Sequence, residues 1–183
     1  ERERILRDMH DGVGSHISAA IRQLQSGQAS DAELLRTLRD SLDQLKISID
    51  SIHLPVGDVG ALMAGLRYRM EPRFTASGVA LEWAMDDLRP LSGLDGPAMR
   101  QLQFLLFEAI SNVLQHAHAS VLRIEAAMVA GPVLRVSVID NGQGFDAERI
   151  TPRALSERAR AIGAGLTVQS RPGCTVVRIE FTI

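Results

Sequence analysis

Apolar side chains recur at Leu6, Met9, Val13, Ile17, Ala20 and Leu24, at spacings of three and four that predict one helix from Glu1 to about Gly27. Gln25–Ser30 reads as a turn, and Asp31 opens a second helix carrying Leu35, Leu38, Leu42, Leu45, Ile49 and Ile52. Those six alternate spacings of three and four without a break, a heptad seam that ends near Leu54–Pro55. Two long helices joined by a short turn predict an antiparallel hairpin. A lone hairpin leaves much of its apolar surface open, so pairing of two copies into a four-helix bundle is expected.

After a linker at Val56–Gly60 the pattern becomes mixed. Residues 58–76 read as a helix with Leu62, Leu66 and Met70 on one face. Val79, Leu81, Trp83 and Met85 alternate as a strand does, which makes Trp83 a core residue. Pro97 to Ala117 predicts a helix, and Leu122, Ile124, Ala126 and Met128 a second strand. Gly131–Pro132 turns the chain into a third strand, Val133–Asp140, and a loop covers Asn141–Ile150. Thr151 as cap and Pro152 in first position start a helix that runs to about Gly163. Leu166–Ser170 and Thr175–Ile183 close the chain as two strands joined at Arg171–Pro172–Gly173.

Composition narrows the class. The chain has 183 residues, 45% hydrophobic and 23% charged, with a net charge of −2, so nothing suggests a general affinity for nucleic acid or membrane surfaces. A single cysteine, Cys174, excludes an internal disulfide and a CxxC metal site and fits a reducing compartment; its place at a strand start suggests buried packing. No apolar run approaches the roughly 20 residues of a membrane span. The chain opens inside a helical pattern without Met, as a piece of a longer protein would.

Three constellations carry candidate chemistry. His10 lies beside the first helix's apolar stripe, where it can face water, and Asp11 could hold one ring nitrogen as N–H and leave the other nucleophilic. Gly12 and Gly14 follow, each costing a helix about 1 kcal/mol relative to Ala, so close approach to that backbone is expected. On the helix 97–117, Glu108, Asn112 and His116 stand four residues apart as one polar stripe, which suggests a ligand cavity above it. Leu134, Val136, Val138 and Asp140 share a strand face, and a carboxylate ending an apolar row needs a partner, an amino group on a bound base being one. Gly142 and Gly144 would then let backbone approach a ligand and turn sharply. His116 and His118 form an H-x-H, but no Cys or carboxylate cluster accompanies them in sequence, so no zinc site is expected.

The order of these motifs resembles the sensor histidine kinases of two-component systems over essentially the whole chain. Within them it is similar to the subfamily whose acceptor His is followed by Asp. ERERILRDMHDGVGSH resembles the acceptor helix, which implies that His10 is phosphorylated and that Asp11 activates it. FEAISNVLQHAHA resembles the N box: Asn112 would ligate Mg²⁺, Glu108 would support the metal's hydration or act as base, and His116 would belong to the nucleotide site. DNGQGF resembles the G1 box, with Asp140 taking the adenine amino group beside Gly142 and Gly144. RALSERARAIGAGLTVQSRPG resembles the helix and strand that follow the ATP lid.

The resemblance implies an α+β chain: a dimerisation and phosphotransfer hairpin over 1–54, and over 55–183 a GHKL-type α/β sandwich with helices on one face of a mixed sheet of about five strands. It implies ATP and Mg²⁺ as cofactors, autophosphorylation of His10, and transfer to an aspartate of a response regulator. A homodimer is implied, with no direct nucleic-acid contact, and a cytoplasmic portion of a larger sensor whose membrane contact, if any, lies outside this chain. Three positions depart from the pattern: Gln115 where a basic residue often follows the Asn, Thr151–Pro152 where a glycine turn usually ends the lid, and Ser15 where the phosphatase pattern has an amide. Arg149 and Arg153 flank the lid and could supply positive charge. The alternative these departures raise is a degenerate kinase that serves as a dimeric interaction scaffold.

Overall fold

The computed structural model describes residues 17–18, 20–22, 24–27, 30–129, 131–147 and 153–182, with backbone alone at 153–154. It divides into two compact units, Glu1–His53 and Leu54–Ile183. His10, Asp11, Gly12, Gly14 and Ser15 lie outside the described residues, as do Arg149 and Thr151–Pro152.

In the first unit, the described positions between 17 and 26 are helical. Helix α1 spans Asp31–Asp50 and ends in a 3₁₀ turn at Ser51–His53. A capping box fixes its start: the Glu33 amide donates to Ser30 Oγ at 3.3 Å, and the Ser30 amide donates to Glu33 Oε2 at 2.8 Å. Along α1 the heptad seam is open, with Leu35 48%, Leu38 44%, Leu42 50% and Ile49 49% exposed. Asp40, Ser41, Gln44 and Ser48 are buried instead, beside Ile47. A stripe of Leu and Ile left in water at this spacing is the surface a second helix pair would cover.

The second unit is a five-stranded mixed sheet with helices on one face. Helix α2 (Val59–Ala76) starts where Asp58 Oδ1 accepts from the Ala61 amide at 2.8 Å, and it buries Leu62, Leu66, Met70 and Phe74. Strand β1 (Ala80–Met85) leads to helix α3 (Gly96–Asn112), capped by Asp95 with Pro97 in its first turn. Strands β2 (Val121–Val129) and β3 (Val133–Asp140) follow, then helix α4 (Arg153–Ala161), β4 (Gly165–Arg171) and β5 (Cys174–Thr182). The spatial order is β1-β2-β3-β5-β4. Only the β1–β2 pair is parallel, as its connection through α3 requires, and the remaining pairs are antiparallel.

Period two decides which side chains face the helices. Leu122, Ile124, Ala126, Leu134, Val136, Val138, Ile179 and Phe181 are buried under α2 and α3. The other face is polar and laced by exposed pairs such as Arg135 Nε–Glu180 Oε1 at 2.7 Å and Arg123 Nε–Glu125 Oε1 at 2.6 Å.

Three expectations are corrected here. The helix expected over 97–117 is α-helical only to Asn112; Val113–Ala117 winds as a π-helix, and His118 closes it in the left-handed region at φ 50°. Trp83 points to the helix side but is only half-buried, because β1 is an edge strand; the Arg67 guanidinium covers it 5.8 Å from the ring centroid. Cys174 is half-buried rather than core, since alternation gives the helix-facing positions of β5 to Thr175, Val177, Ile179 and Phe181.

Candidate active site

A cavity of about 440 Å³ opens between α3 and the ends of β3, β4 and β5. Glu108, Asn112, His116, Asp140 and Gly144 line it, with Phe145, Leu155, Val168 and Val177 as apolar wall. The structure therefore brings together five of the site residues expected within this unit. His10 and Asp11 lie outside the described residues, and Gly142 does not line the cavity.

One wall is the polar stripe of α3. The helix is held by its apolar face, where Leu102, Leu105, Leu106 and Ile110 are fully buried, which turns Glu108 and Asn112 to the opposite side. In an α-helix, four residues carry a side chain about 40° past a full turn. A π turn closes on i→i+5 bonds, about 4.4 residues per turn, so four residues stop about 30° short of a full turn, which keeps His116 on the side of Asn112 and rotates Gln115 farther away. His116 lines the cavity accordingly, and Gln115, half-buried, does not.

The other wall is built around Asp140. It ends the row Leu134–Val136–Val138, is 5% exposed, and pairs in register with Leu122 and Thr175. Burial raises its pKa above the ordinary carboxylate value, and the Gly142 amide, donating to Oδ1 at 2.8 Å, pulls the other way. Oδ1 is thus engaged by the chain, and Oδ2 is left for the cavity that Asp140 lines. A buried carboxylate with one oxygen uncommitted suits a ligand that donates a hydrogen bond.

Of the two glycines only Gly144 lines the cavity, and both are needed for contacts within the chain. A Cβ on Gly142 would run into the carbonyl oxygen of Ala117. Gly144, at φ +71°, packs on the Arg171–Pro172 peptide, where a Cβ would lie 2.6 Å from the Arg171 carbonyl carbon. Both therefore let the chain approach itself, and they fix the loop that carries Asp140. Gly142 also accepts from the Gly173 amide at 2.7 Å. Asn141 fastens the same loop: its Oδ1 accepts from the Ser120 and Val121 amides, each at 2.9 Å.

Thr175 carries no distinguishing mark in the sequence, yet it is 5% exposed and lines the cavity opposite Asp140. Its Oγ1 lies 2.8 Å from Ser170 Oγ, which accepts from the Phe145 amide at 2.9 Å. Only the β3–β5 register identifies it, because nothing local in TVVRIEF marks a site. Among the described residues no group of three or more His, Cys, Asp or Glu side chains could hold a metal by itself.

Residues 1–55 match the family profile described as histidine kinase. Among curated proteins the chain is similar to the sensor histidine kinase LiaS of Bacillus subtilis, 26% identical over 189 residues that cover 94% of this chain and 51% of that protein. The chain spans about half the length of the curated relatives it matches. Among solved structures, the histidine kinase domain of the Erythrobacter litoralis EL346 blue-light activated histidine kinase superposes with a TM-score of 0.62 at 18% identity, covering 98% of this chain and 91% of that one. Full-length ShkA in complex with AMPPNP gives 0.61 at 18% identity, covering 97% of this chain and 45% of that one. The shared architecture is a helical region joined to a mixed α/β sheet, an α+β fold.

Proposed function

We propose that this chain, whose residues 1–55 match the histidine kinase profile, is the catalytic core of a sensor kinase that moves the γ-phosphoryl group of ATP onto His10 and then to an aspartate of a response regulator. The observation that carries the reading is the cavity itself: a buried carboxylate with one oxygen uncommitted at Asp140, facing a stripe of Glu108, Asn112 and His116. ShkA, which shares the fold, is seen with AMPPNP.

Each wall then has a task. Asp140 Oδ2 accepts from the adenine amino group, and Val168, Val177 and Phe145 supply apolar contact to the base. Glu108 and Asn112, one turn apart, offer oxygen donors suited to Mg²⁺; two protein donors fit this ion, which is commonly held by one or two side chains, water and substrate phosphates. Held there with the nucleotide, Mg²⁺ would supply neutralisation of the phosphate charge. His116 donates to a phosphate oxygen. A nitrogen of His10 attacks the γ-phosphorus, so that a P–N bond forms while the bond to the β-phosphate oxygen breaks and ADP leaves. Asp11 retains the proton on the other ring nitrogen.

The open seam of α1 supports a homodimer formed through the helical hairpin, and the response regulator's receiver domain is the second partner. No described helix is long and apolar enough to cross a membrane. A cytoplasmic place for this portion, with any membrane anchor elsewhere in a larger sensor, belongs to the same reading.

The test is incubation with γ-labelled ATP and Mg²⁺, followed by acid and base treatment. A phosphoramidate on His10 is labile to acid and stable to base, and His10→Gln takes up no label while still binding nucleotide. Acid-stable label, or label at the parent level on His10→Gln, refutes the assignment.

A further inference from the structure

The last carbonyls of a helix need donors from elsewhere. At the end of the π turn two of them, on His116 and Ala117, are met by one residue of the opposite wall. The Gln143 amide donates to the Ala117 carbonyl at 2.8 Å, and Gln143 Nε2 donates to the His116 carbonyl at 2.8 Å. The approach is close because Gly142 leaves no room for a Cβ beside Ala117. The turn thus held ends in His118 at φ 50°, the one non-glycine residue with positive φ among those described. A non-glycine residue in this region costs free energy and persists only where its surroundings hold it.

We infer that Gln143 is a positioning residue: it ties the wall carrying Asp140 to the π turn that carries His116 at the cavity, and so sets the distance between base and phosphate subsites. This rests on the nucleotide reading above. Either of the two hydrogen bonds alone leaves freedom. The backbone bond fixes how near the loop lies, and the side-chain bond, reaching one residue back, fixes how the turn is rotated. Gln143→Met keeps length and the backbone bond and removes only the side-chain donor. Gln143→Glu does the same and places an anionic acceptor against a carbonyl oxygen.

Two measurements on the whole chain decide it. Without ligand, amide hydrogen exchange over 113–120 should quicken in Gln143→Met while β2, β3 and β5 exchange as in the parent. With ligand, calorimetry should give Mg·ATP affinity lower by roughly three- to tenfold in Gln143→Met, and lower still in Gln143→Glu, with adenosine affinity changed by less than about twofold. Unchanged exchange in the turn overturns the inference, as does an equal loss for Mg·ATP and adenosine. A parent chain that does not bind Mg·ATP refutes the nucleotide reading and the ligand half of this inference; the exchange result still decides whether Gln143 holds the turn.

Discussion

Replacing Asp140 by Asn changes one wall of the cavity by a single group and separates affinity from stability. The side chain is 5% exposed, and its Oδ1 accepts from the Gly142 amide at 2.8 Å. Asn can keep that bond with its own oxygen, which turns its NH₂ toward the cavity. A donor then meets the adenine amino group where an acceptor stood. Hydrogen bonds to charged groups contribute about 1.5–3 kcal/mol, so Mg·ATP affinity should fall about 10- to 100-fold. The inosine nucleotide carries a carbonyl at that position and should lose much less. Stability should move the opposite way. Burial raises the Asp140 pKa, so the folded state disfavours the ionised carboxylate. The stability this group contributes is fully present below the ordinary carboxylate pKa of about 3.9 and is lost as pH rises through the raised value. At neutral pH the Asp140→Asn variant, whose amide does not ionise, escapes that loss. Its Tm should equal or exceed the parent's, with the difference vanishing in acid. Isothermal calorimetry with ATP and ITP, beside thermal unfolding at pH 7 and pH 3.5, reads both. Retained ATP affinity, or a Tm that falls together with affinity, would show that Asp140 is a structural residue.

Asn112→Ala should weaken Mg·ATP binding about tenfold and metal-free nucleotide less than about twofold, read by calorimetry with and without chelator; equal losses would remove Asn112 from the metal site. Gly142→Ala places a methyl group against the Ala117 carbonyl. Overpacking of about 1–3 kcal/mol should lower Tm by about 2–12 °C, and an unchanged Tm would show that the loop yields freely. Leu42, 50% exposed on the α1 seam, should matter in the dimer alone. Leu42→Glu is expected to weaken self-association roughly tenfold or more by sedimentation equilibrium while helix content is kept, and an unchanged association constant would put the interface elsewhere.

What the sequence determined by itself is whatever a local period can specify. The three-four spacing of Leu35 to Ile49 and the cap at Ser30 belong to α1 wherever it packs. The alternation of Leu134, Val136, Val138 and Asp140 sends a carboxylate inward however the neighbouring strands are arranged, and the structure finds it buried there. Glu108 and Asn112 share a helix side for the same reason. The tertiary structure decided what depends on groups far apart in sequence. Gly142 reads in isolation as room for a ligand, but its missing side chain is needed by Ala117, 25 residues earlier. Thr175 enters the site only because β5 lies antiparallel to β3 with Thr175 opposite Asp140. The spacing of Pro97 to Ala117 predicts a continuous α-helix, and nothing local distinguishes its last turn. There the carbonyls of His116 and Ala117 are met by Gln143 from the opposite wall, and the chain winds as π with His116 on the cavity side. Local periods fix which face a side chain takes, because backbone geometry repeats. Only packing between distant segments fixes which faces meet, because those contacts exist only once the sheet has closed.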